Sequence, residues 1–249
     1  MAAGSPSAIG LTPPGSPYRK GGVLSPTVNA LPADPPSQRS ALPLVHAVTS
    51  DEVVLRPDFI DVACAVMAAL GARGALHLRA GRVPAARMQT LAEGLEAAQA
   101  ITGAWLVVND RIDLALISRA RGAQLTSRSL TVADARRAAP GIAIGASVHT
   151  VDEGRAAADA GASWLVGGHV FATATHPGEA ERGLPFIRHL VESVRIPVLA
   201  IGGVRPEHAS VLRQAGVYGV AVIRGIWDAA NAEQAASDYL SAYDNAAGA

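Results

Sequence analysis

The chain is poor in cysteine and lysine, and each shortage excludes a class of chemistry. Cys64 is the only cysteine in 249 residues, so no disulfide can form within the chain, which favours a reducing, cytoplasmic setting. Lys20 is the only lysine, so the rest of the chain has no amine for a Schiff base or a lysine phosphate clamp. We therefore expect arginine to take any cationic role outside the first 40 residues.

Net charge and long apolar runs are also lacking. The formal net charge is +0 at pH 7, which argues against a nucleic-acid partner. No uninterrupted apolar run approaches the roughly 20 residues that span a bilayer, so we expect no membrane partner. Hydrophobic residues still make up 49% of the chain, which is enough for one sizeable core. The composition is that of a soluble globular protein.

Residues 1–40 differ in composition from the rest of the chain. They hold eight of the 16 prolines, with glycine and serine around them and no helical or strand periodicity. Such a segment cannot bury a core, so we interpret it as a disordered Pro/Ser/Gly-rich tail. Residues 41–249 then form a single folded domain.

Deletion of residues 1–40 should have little effect on this domain. We expect the melting temperature and the turnover of the shortened protein to stay close to those of the full chain, because the segment buries no core. Thermal unfolding and an activity assay measure both. A fall of many degrees in the melting temperature would show instead that the segment packs on the domain.

Short apolar runs alternate with longer amphipathic stretches throughout residues 41–249. The runs are Leu44–Val48, Gly74–Leu78, Ala104–Val108, Ala123–Leu125, Ile142–Ala146, Ala162–Val166, Val198–Ile201 and Gly219–Ile223. The helical patterns include Phe59–Leu70, Ala85–Ala100, Asp152–Ala160, Leu184–Val194, Glu207–Ala215 and a final helix near Trp227–Tyr243. Near-continuous apolar strands are typical of a parallel sheet that is covered on both faces. Eight strand–helix units predict the α/β class and a single (β/α)8 TIM barrel. The alternative, an open doubly wound sheet, is weakened because no GxGxxG follows the first strand.

The loops after the last two strands carry the best-founded site. Gly202 and Gly203 can bring backbone N–H groups close to an anion, because no side chain blocks the approach. Ile223, Arg224 and Gly225 lie just before a helix, whose first N–H groups favour negative charge. Barrel enzymes often bind phosphate in these two loops, so we predict a phosphate site here.

The same edge of the barrel selects further side chains. Arg79 follows the second strand and Asn109 the third, and we predict that both bind substrate. His169 follows the sixth strand beside the phosphate loops, where an imidazole with a pKa of about 6.5 can take and return a proton. We therefore predict His169 as the catalytic acid–base residue, ahead of His149 and His176.

No metal site is predicted at this edge. Asp110 could contribute one carboxylate, but an isolated Asp after a strand is more often a helix cap, here for Ile112–Leu116. Magnesium usually needs a second carboxylate or phosphate oxygens, and the loop Thr126–Ser129 offers no carboxylate. We therefore expect neither a metal nor another cofactor.

Six segments in order carry a family resemblance. They are HAVTSD at His46–Asp51, LHLRA at Leu76–Ala80, VNDRIDLAL at Val108–Leu116, IGASVHT at Ile144–Thr150, AIGGV at Ala200–Val204 and GVAVIRGIW at Gly219–Trp227. Together they resemble the thiamine phosphate synthase/TenI superfamily. The resemblance runs from Leu44 to about Tyr243, nearly the whole predicted domain.

The chain departs from the synthase branch of that superfamily at charged positions. The synthase branch joins a pyrimidine pyrophosphate to a thiazole phosphate with magnesium, and it typically carries two pyrophosphate-binding lysines and a metal-binding Asp. The corresponding positions here are Gly81, His176 and Ser129. We therefore expect no requirement for a divalent metal and no thiamine phosphate as product.

The TenI branch is similar to this chain in its Gly-His-Val-Phe loop, which puts the family's catalytic histidine at His169. This resemblance implies a thiazole tautomerase, an isomerase of thiamin biosynthesis that aromatises a carboxythiazole phosphate by proton transfer without a cofactor. The partner it implies is a small phosphorylated thiazole. Two alternatives stay open: a magnesium-dependent thiamine phosphate synthase, and a non-catalytic TenI-like protein that binds a ligand or regulates. A homo-oligomer is also compatible with the sequence.

Overall fold

The computed structural model describes Met1 and residues 41–173, 178 and 180–246. Apart from Met1, the predicted tail of residues 1–40 lies outside these described residues, and so does His176. Among the residues described, every helix is too short or too polar to cross a bilayer.

Eight parallel strands form a closed barrel in the described part of the chain. They are β1 (Val45–Val48), β2 (Gly74–Leu78), β3 (Trp105–Asn109), β4 (Gly122–Leu125), β5 (Ala143–Val148), β6 (Trp164–Gly168), β7 (Val198–Ile201) and β8 (Gly219–Val222). Each strand pairs with the next in the chain, and β8 pairs with β1. The predicted α/β class and (β/α)8 TIM barrel are confirmed.

Helices alternate with these strands. They are α1 (Asp51–Val54), α2 (Phe59–Leu70), α3 (Ala85–Thr102), α4 (Ile112–Ile117), α5 (Val132–Ala138), α6 (Val151–Asp159), α7 (Gly183–Ser193), α8 (Ala209–Gln214), α9 (Arg224–Trp227) and α10 (Ala232–Asn245). The predicted final helix near Trp227–Tyr243 is present as α10, but it begins at Ala232 and not near Trp227. The Asn231 side chain accepts a hydrogen bond from Gln234 N at 3.0 Å and so starts α10 separately from α9.

The strand residues serve two apolar layers because successive side chains point to opposite faces of a strand. Leu76, Leu106 and Leu165 pack in the large core with the helices, whereas Val107, Trp164 and Leu199 belong to the small cluster inside the barrel. The inward positions become polar toward the carboxyl ends of the strands. They include His77, Asn109 and Gln124, and a further polar residue, His46, lies nearer the start of β1; all four are buried. The fold thus places a polar floor beneath the loops at that end.

Candidate active site

A cavity of about 620 Å³ opens at the carboxyl ends of the strands. The residues predicted to bind substrate all line it, together with His169: Arg79, Asn109, Gly202, Gly203, Ile223, Arg224 and Gly225. Residues chosen only for their place after strands are therefore brought together by the fold. The volume lies in the range of small-molecule sites.

The lining of this cavity is strongly cationic. Arg79, Arg128, Arg205 and Arg224 line it, whereas no Asp or Glu belongs to the lining formed by the described residues. Sequence reasoning missed Arg205, although it follows Gly203 by only two positions. A concave surface with one sign of charge raises the local concentration of ligands of opposite charge. The cavity is therefore suited to anions.

The two glycines after β7 are required by their conformation and by their neighbours. Gly202 has φ 94° and Gly203 φ 64°, in the left-handed region that side chains disfavour. A Cβ on Gly202 would lie 2.7 Å from His169 Cα, and one on Gly203 would lie 2.8 Å from the Phe171 carbonyl oxygen. Both glycines thus let the loop after β6 pack against the end of β7.

His169 is held in place through its backbone. Val170 N donates to Ile201 O at 2.9 Å, and Arg182 N donates to the carbonyl oxygen of His169 at 3.0 Å. The side chain is 7% exposed and lines the cavity. His149 lines the same cavity but is more exposed, and its Nδ1 lies 3.2 Å from Gly168 O. Of these two histidines, His169 is therefore the one with the buried side chain.

Two further polar side chains form the floor of the cavity. Trp164 Nε1 donates to Gln124 Oε1 at 2.8 Å, and Gln124 Nε2 donates to Ser147 Oγ at 3.0 Å. Ser147 accepts this bond, so its own hydroxyl hydrogen can turn to a ligand. The inward alternation along β4 is the signal that could have selected Gln124.

A pair of buried histidines lies beside this floor. His46 is 0% exposed and His77 is 1% exposed, and His46 Nδ1 lies 2.7 Å from His77 Nε2. Burial lowers the pKa of His46 to about 4, opposed by its hydrogen bond to Pro43 O. Burial, followed by the neighbouring His46, places the pKa of His77 well below 6.5. Both imidazoles are therefore neutral at pH 7.

The neutral His46 makes the stability of the fold depend on pH. The free energy of unfolding should fall as the pH drops from about 6.5 to about 4, because the unfolded chain takes up a proton there that the folded chain excludes. The loss from His46 alone is roughly 3 kcal/mol. Above pH 6.5 both states are neutral at this position, so its contribution is constant.

Urea unfolding across this pH range measures the effect. His46→Gln removes one of the two buried titrating groups and should reduce the slope, whereas His189→Gln, at an exposed position of α7, should keep the wild-type slope. Identical slopes for the wild type and His46→Gln would contradict this account.

The predicted helix cap at Asp110 is wrong. Asp110 has φ 62°, and its Oδ1 accepts hydrogen bonds from Thr126 N at 3.2 Å, from Thr126 Oγ1 at 2.7 Å and from the Ser129 hydroxyl. The carboxylate turns toward the loop after β4, because three donors there satisfy it, and Arg111 is the residue before α4.

The synthase branch implies a magnesium ion. The placement of the Asp110 carboxylate shows whether the site can hold one. Asp110 is not among the residues that line the cavity, and one of its oxygens already accepts three hydrogen bonds. Within the described part of the chain, no three His, Cys, Asp or Glu residues are grouped to hold a metal. The protein donors as placed do not fit a magnesium ion.

A family model described as thiamine monophosphate synthase matches residues 45–226, from β1 to α9. The chain belongs to the thiamine monophosphate synthase family. It is 34% identical over 168 residues to the thiamine-phosphate synthase of Pyrococcus furiosus, covering 68% of this chain and 81% of that protein. It is 33% identical over 213 residues to the thiamine-phosphate synthase of Roseiflexus castenholzii, covering 85% and 91%.

A solved structure supports the same membership in the synthase family. Thiamine phosphate pyrophosphorylase from Pyrococcus furiosus superposes with a TM-score of 0.70 at 29% sequence identity, covering 82% of this chain and 96% of that one. The barrel and the family are therefore shown by sequence and by structure.

The relatives overturn the predicted activity. The expectation of a thiazole tautomerase, and hence of an isomerase, is wrong, because these members of the synthase family are named thiamine-phosphate synthase, a transferase. The expectation that no thiamine phosphate is made was part of the same reading. It rested on the missing lysines and Asp at the family's positions and gave too little weight to the arginines, of which Arg205 was not counted. The fold supplies positive charge to the cavity from other loops, at Arg128, Arg205 and Arg224.

Proposed function

We propose that this chain is a thiamine-phosphate synthase, a transferase that joins a pyrimidine pyrophosphate to a thiazole phosphate. The observation that carries the proposal is the placement of positive charge on two sides of one cavity. Arg79 and Arg128 follow β2 and β4, whereas Arg205 and Arg224 follow β7 and β8. In a ring of eight strands in chain order, β3 lies opposite β7. Two cationic sides suit two phosphorylated substrates, and the names of the relatives support this choice.

The two sides differ in what they offer an anion. Gly202 and Gly203 can present backbone N–H groups, and Arg224 adds a charge, so this side suits the single phosphate of the thiazole. Arg79 and Arg128 can place two guanidinium groups on a pyrophosphate, and each can bind two oxygens at once.

The reaction forms a carbon–nitrogen bond between the two rings and breaks the carbon–oxygen bond to pyrophosphate. Pyrophosphate departs with the electron pair, and negative charge builds on its oxygens. Arg79 and Arg128 would stabilise that charge. His169 follows β6, between the two sides, and its imidazole would give a proton to the departing group.

A coupling assay tests the proposal. The full chain is supplied with pyrimidine pyrophosphate, thiazole phosphate and magnesium, and thiamine phosphate and free pyrophosphate are measured by chromatography. We expect both products in equal amounts. Arg79→Gln should slow their formation, whereas Arg87→Gln, at an exposed position on α3, should not. Binding of both substrates by calorimetry without any thiamine phosphate would overturn the proposal.

A further inference from the structure

The buried histidine pair forms one end of a hydrogen-bonded chain that reaches the cavity. His46 Nε2 lies 3.0 Å from Pro43 O, and His46 Nδ1 lies 2.7 Å from His77 Nε2. His77 Nδ1 then lies 3.2 Å from Asn109 Oδ1 as the amide is placed. Asn109 is 7% exposed and lines the cavity, as does His77. The polar contacts of three inward side chains thus connect the start of β1 to the site.

The carbonyl group of Pro43 sets the direction of each hydrogen bond in this chain. The Pro43 carbonyl oxygen only accepts, so His46 Nε2 carries the hydrogen. In a neutral imidazole the other nitrogen is an acceptor, so His46 Nδ1 accepts a hydrogen bond from His77 Nε2. His77 has then used its one hydrogen, and its Nδ1 needs a donor.

The amide of Asn109 has one donor and one acceptor end. A half-turn about its last bond exchanges the nitrogen and the oxygen within nearly the same outline. With His77 neutral, two acceptors would face each other here, so the half-turn that replaces Oδ1 by the NH2 group next to His77 Nδ1 is required. The carbonyl oxygen is then the end left for the cavity.

We propose that His46 and His77 are positioning residues that hold Asn109 with its carbonyl oxygen toward the cavity. Asn109 then accepts a hydrogen bond from an uncharged N–H group of the ligand, such as an exocyclic amine on a ring. Asn109 lies on β3, between β2, which Arg79 follows, and β4, which Arg128 follows. A carbonyl oxygen repels phosphate oxygens, so it selects the ring at this point and leaves the phosphates to the arginines. This assignment deepens the proposed function and rests on it only for the identity of the ligand.

The first test reads the proton positions directly and needs no activity. Long-range 1H–15N spectra of the histidine rings are recorded on the full chain at pH 7, with assignment by His46→Gln and His77→Gln. We expect both rings to be neutral with the hydrogen on Nε2. A protonated Nδ1 on His77 would overturn the proposal, whatever the coupling assay shows.

Asn109→Asp gives a second readout of the same arrangement. An ionised carboxylate cannot donate, so it should draw a proton onto His77 Nδ1 and move that nitrogen's signal to the protonated position at pH 7. An unchanged His77 signal in this variant would contradict the proposal even if the histidine variants do not fold.

The ligand preference is tested with two small probes, 4-aminopyrimidine and pyrimidine. We expect the wild type to bind the amino compound about tenfold more tightly, the usual effect of one hydrogen bond in a buried site. Asn109→Leu should remove this preference, and His77→Leu should reduce it because the amide is free to turn. Equal binding of the two probes by the wild type would show that the carbonyl oxygen of Asn109 does not face the cavity. A failed coupling assay alone would leave this assignment standing.

Discussion

Replacement of His169 by asparagine should lower turnover by a factor on the order of 10²–10⁴. Asparagine keeps a side chain of similar size and polarity in this buried position, but it cannot give a proton to a departing pyrophosphate. The dissociation constants of both substrates should therefore change little. Single-turnover rates and calorimetry measure the two effects separately. The size of the loss depends on how much of the barrier proton transfer removes.

His149 provides the matched control for this variant. It lines the same cavity, but it is exposed and its Nδ1 lies beside a backbone carbonyl. His149→Asn should keep most of the wild-type turnover. An unchanged single-turnover rate in His169→Asn would remove the acid–base role from that residue.

The second large effect is expected at Gly203. Gly203→Val should raise the dissociation constant of thiazole phosphate by a factor on the order of 100, because charge-assisted hydrogen bonds from backbone N–H groups contribute about 1.5–3 kcal/mol each. Valine disfavours the φ of 64°, and its Cβ would meet the Phe171 backbone, so both the end of β7 and the loop that carries His169 must shift. Calorimetric titration with thiazole phosphate gives the constant.

Gly141→Ala controls for the loss of a glycine in general. A Cβ at Gly141 would meet no atom within 4 Å, so both stability and binding should be preserved. If Gly203→Val keeps its melting temperature and binds thiazole phosphate as the wild type does, the phosphate lies elsewhere in the cavity.

The barrel was predictable from the sequence because both faces of each strand are buried. Val198–Ile201 is apolar throughout and Gly74–Leu78 is apolar except for His77, and the bounds of these runs agree with β7 and β2. The break between α9 and α10 was not predicted, because the apolar pattern continues across it. A single cap by Asn231 decides that break, and local hydrogen bonding of this kind leaves no periodic signal.

The candidate site was only partly predictable. Residues directly after strands could be chosen by position alone, and Arg79, Asn109 and His169 do lie around one cavity. His77 and Gln124 were given no role because they lie within strands, where a polar residue is hidden in an apolar run. Such a residue reaches the cavity only if its side chain points into the barrel and if its position along the strand lies near the carboxyl end. Both conditions depend on the register of neighbouring strands, which one sequence does not reveal.

The arginines of the cavity also affect how fast a ligand arrives. The whole chain has a formal net charge of +0, yet four of its cations surround one opening whose described lining includes no carboxylate. The resulting field acts over roughly the Debye length, about 8 Å at physiological ionic strength, and draws diffusing anions toward the mouth. Association of phosphorylated ligands is therefore steered, and its rate declines as salt is added, while an uncharged molecule of the same shape encounters the mouth at a rate that salt hardly alters.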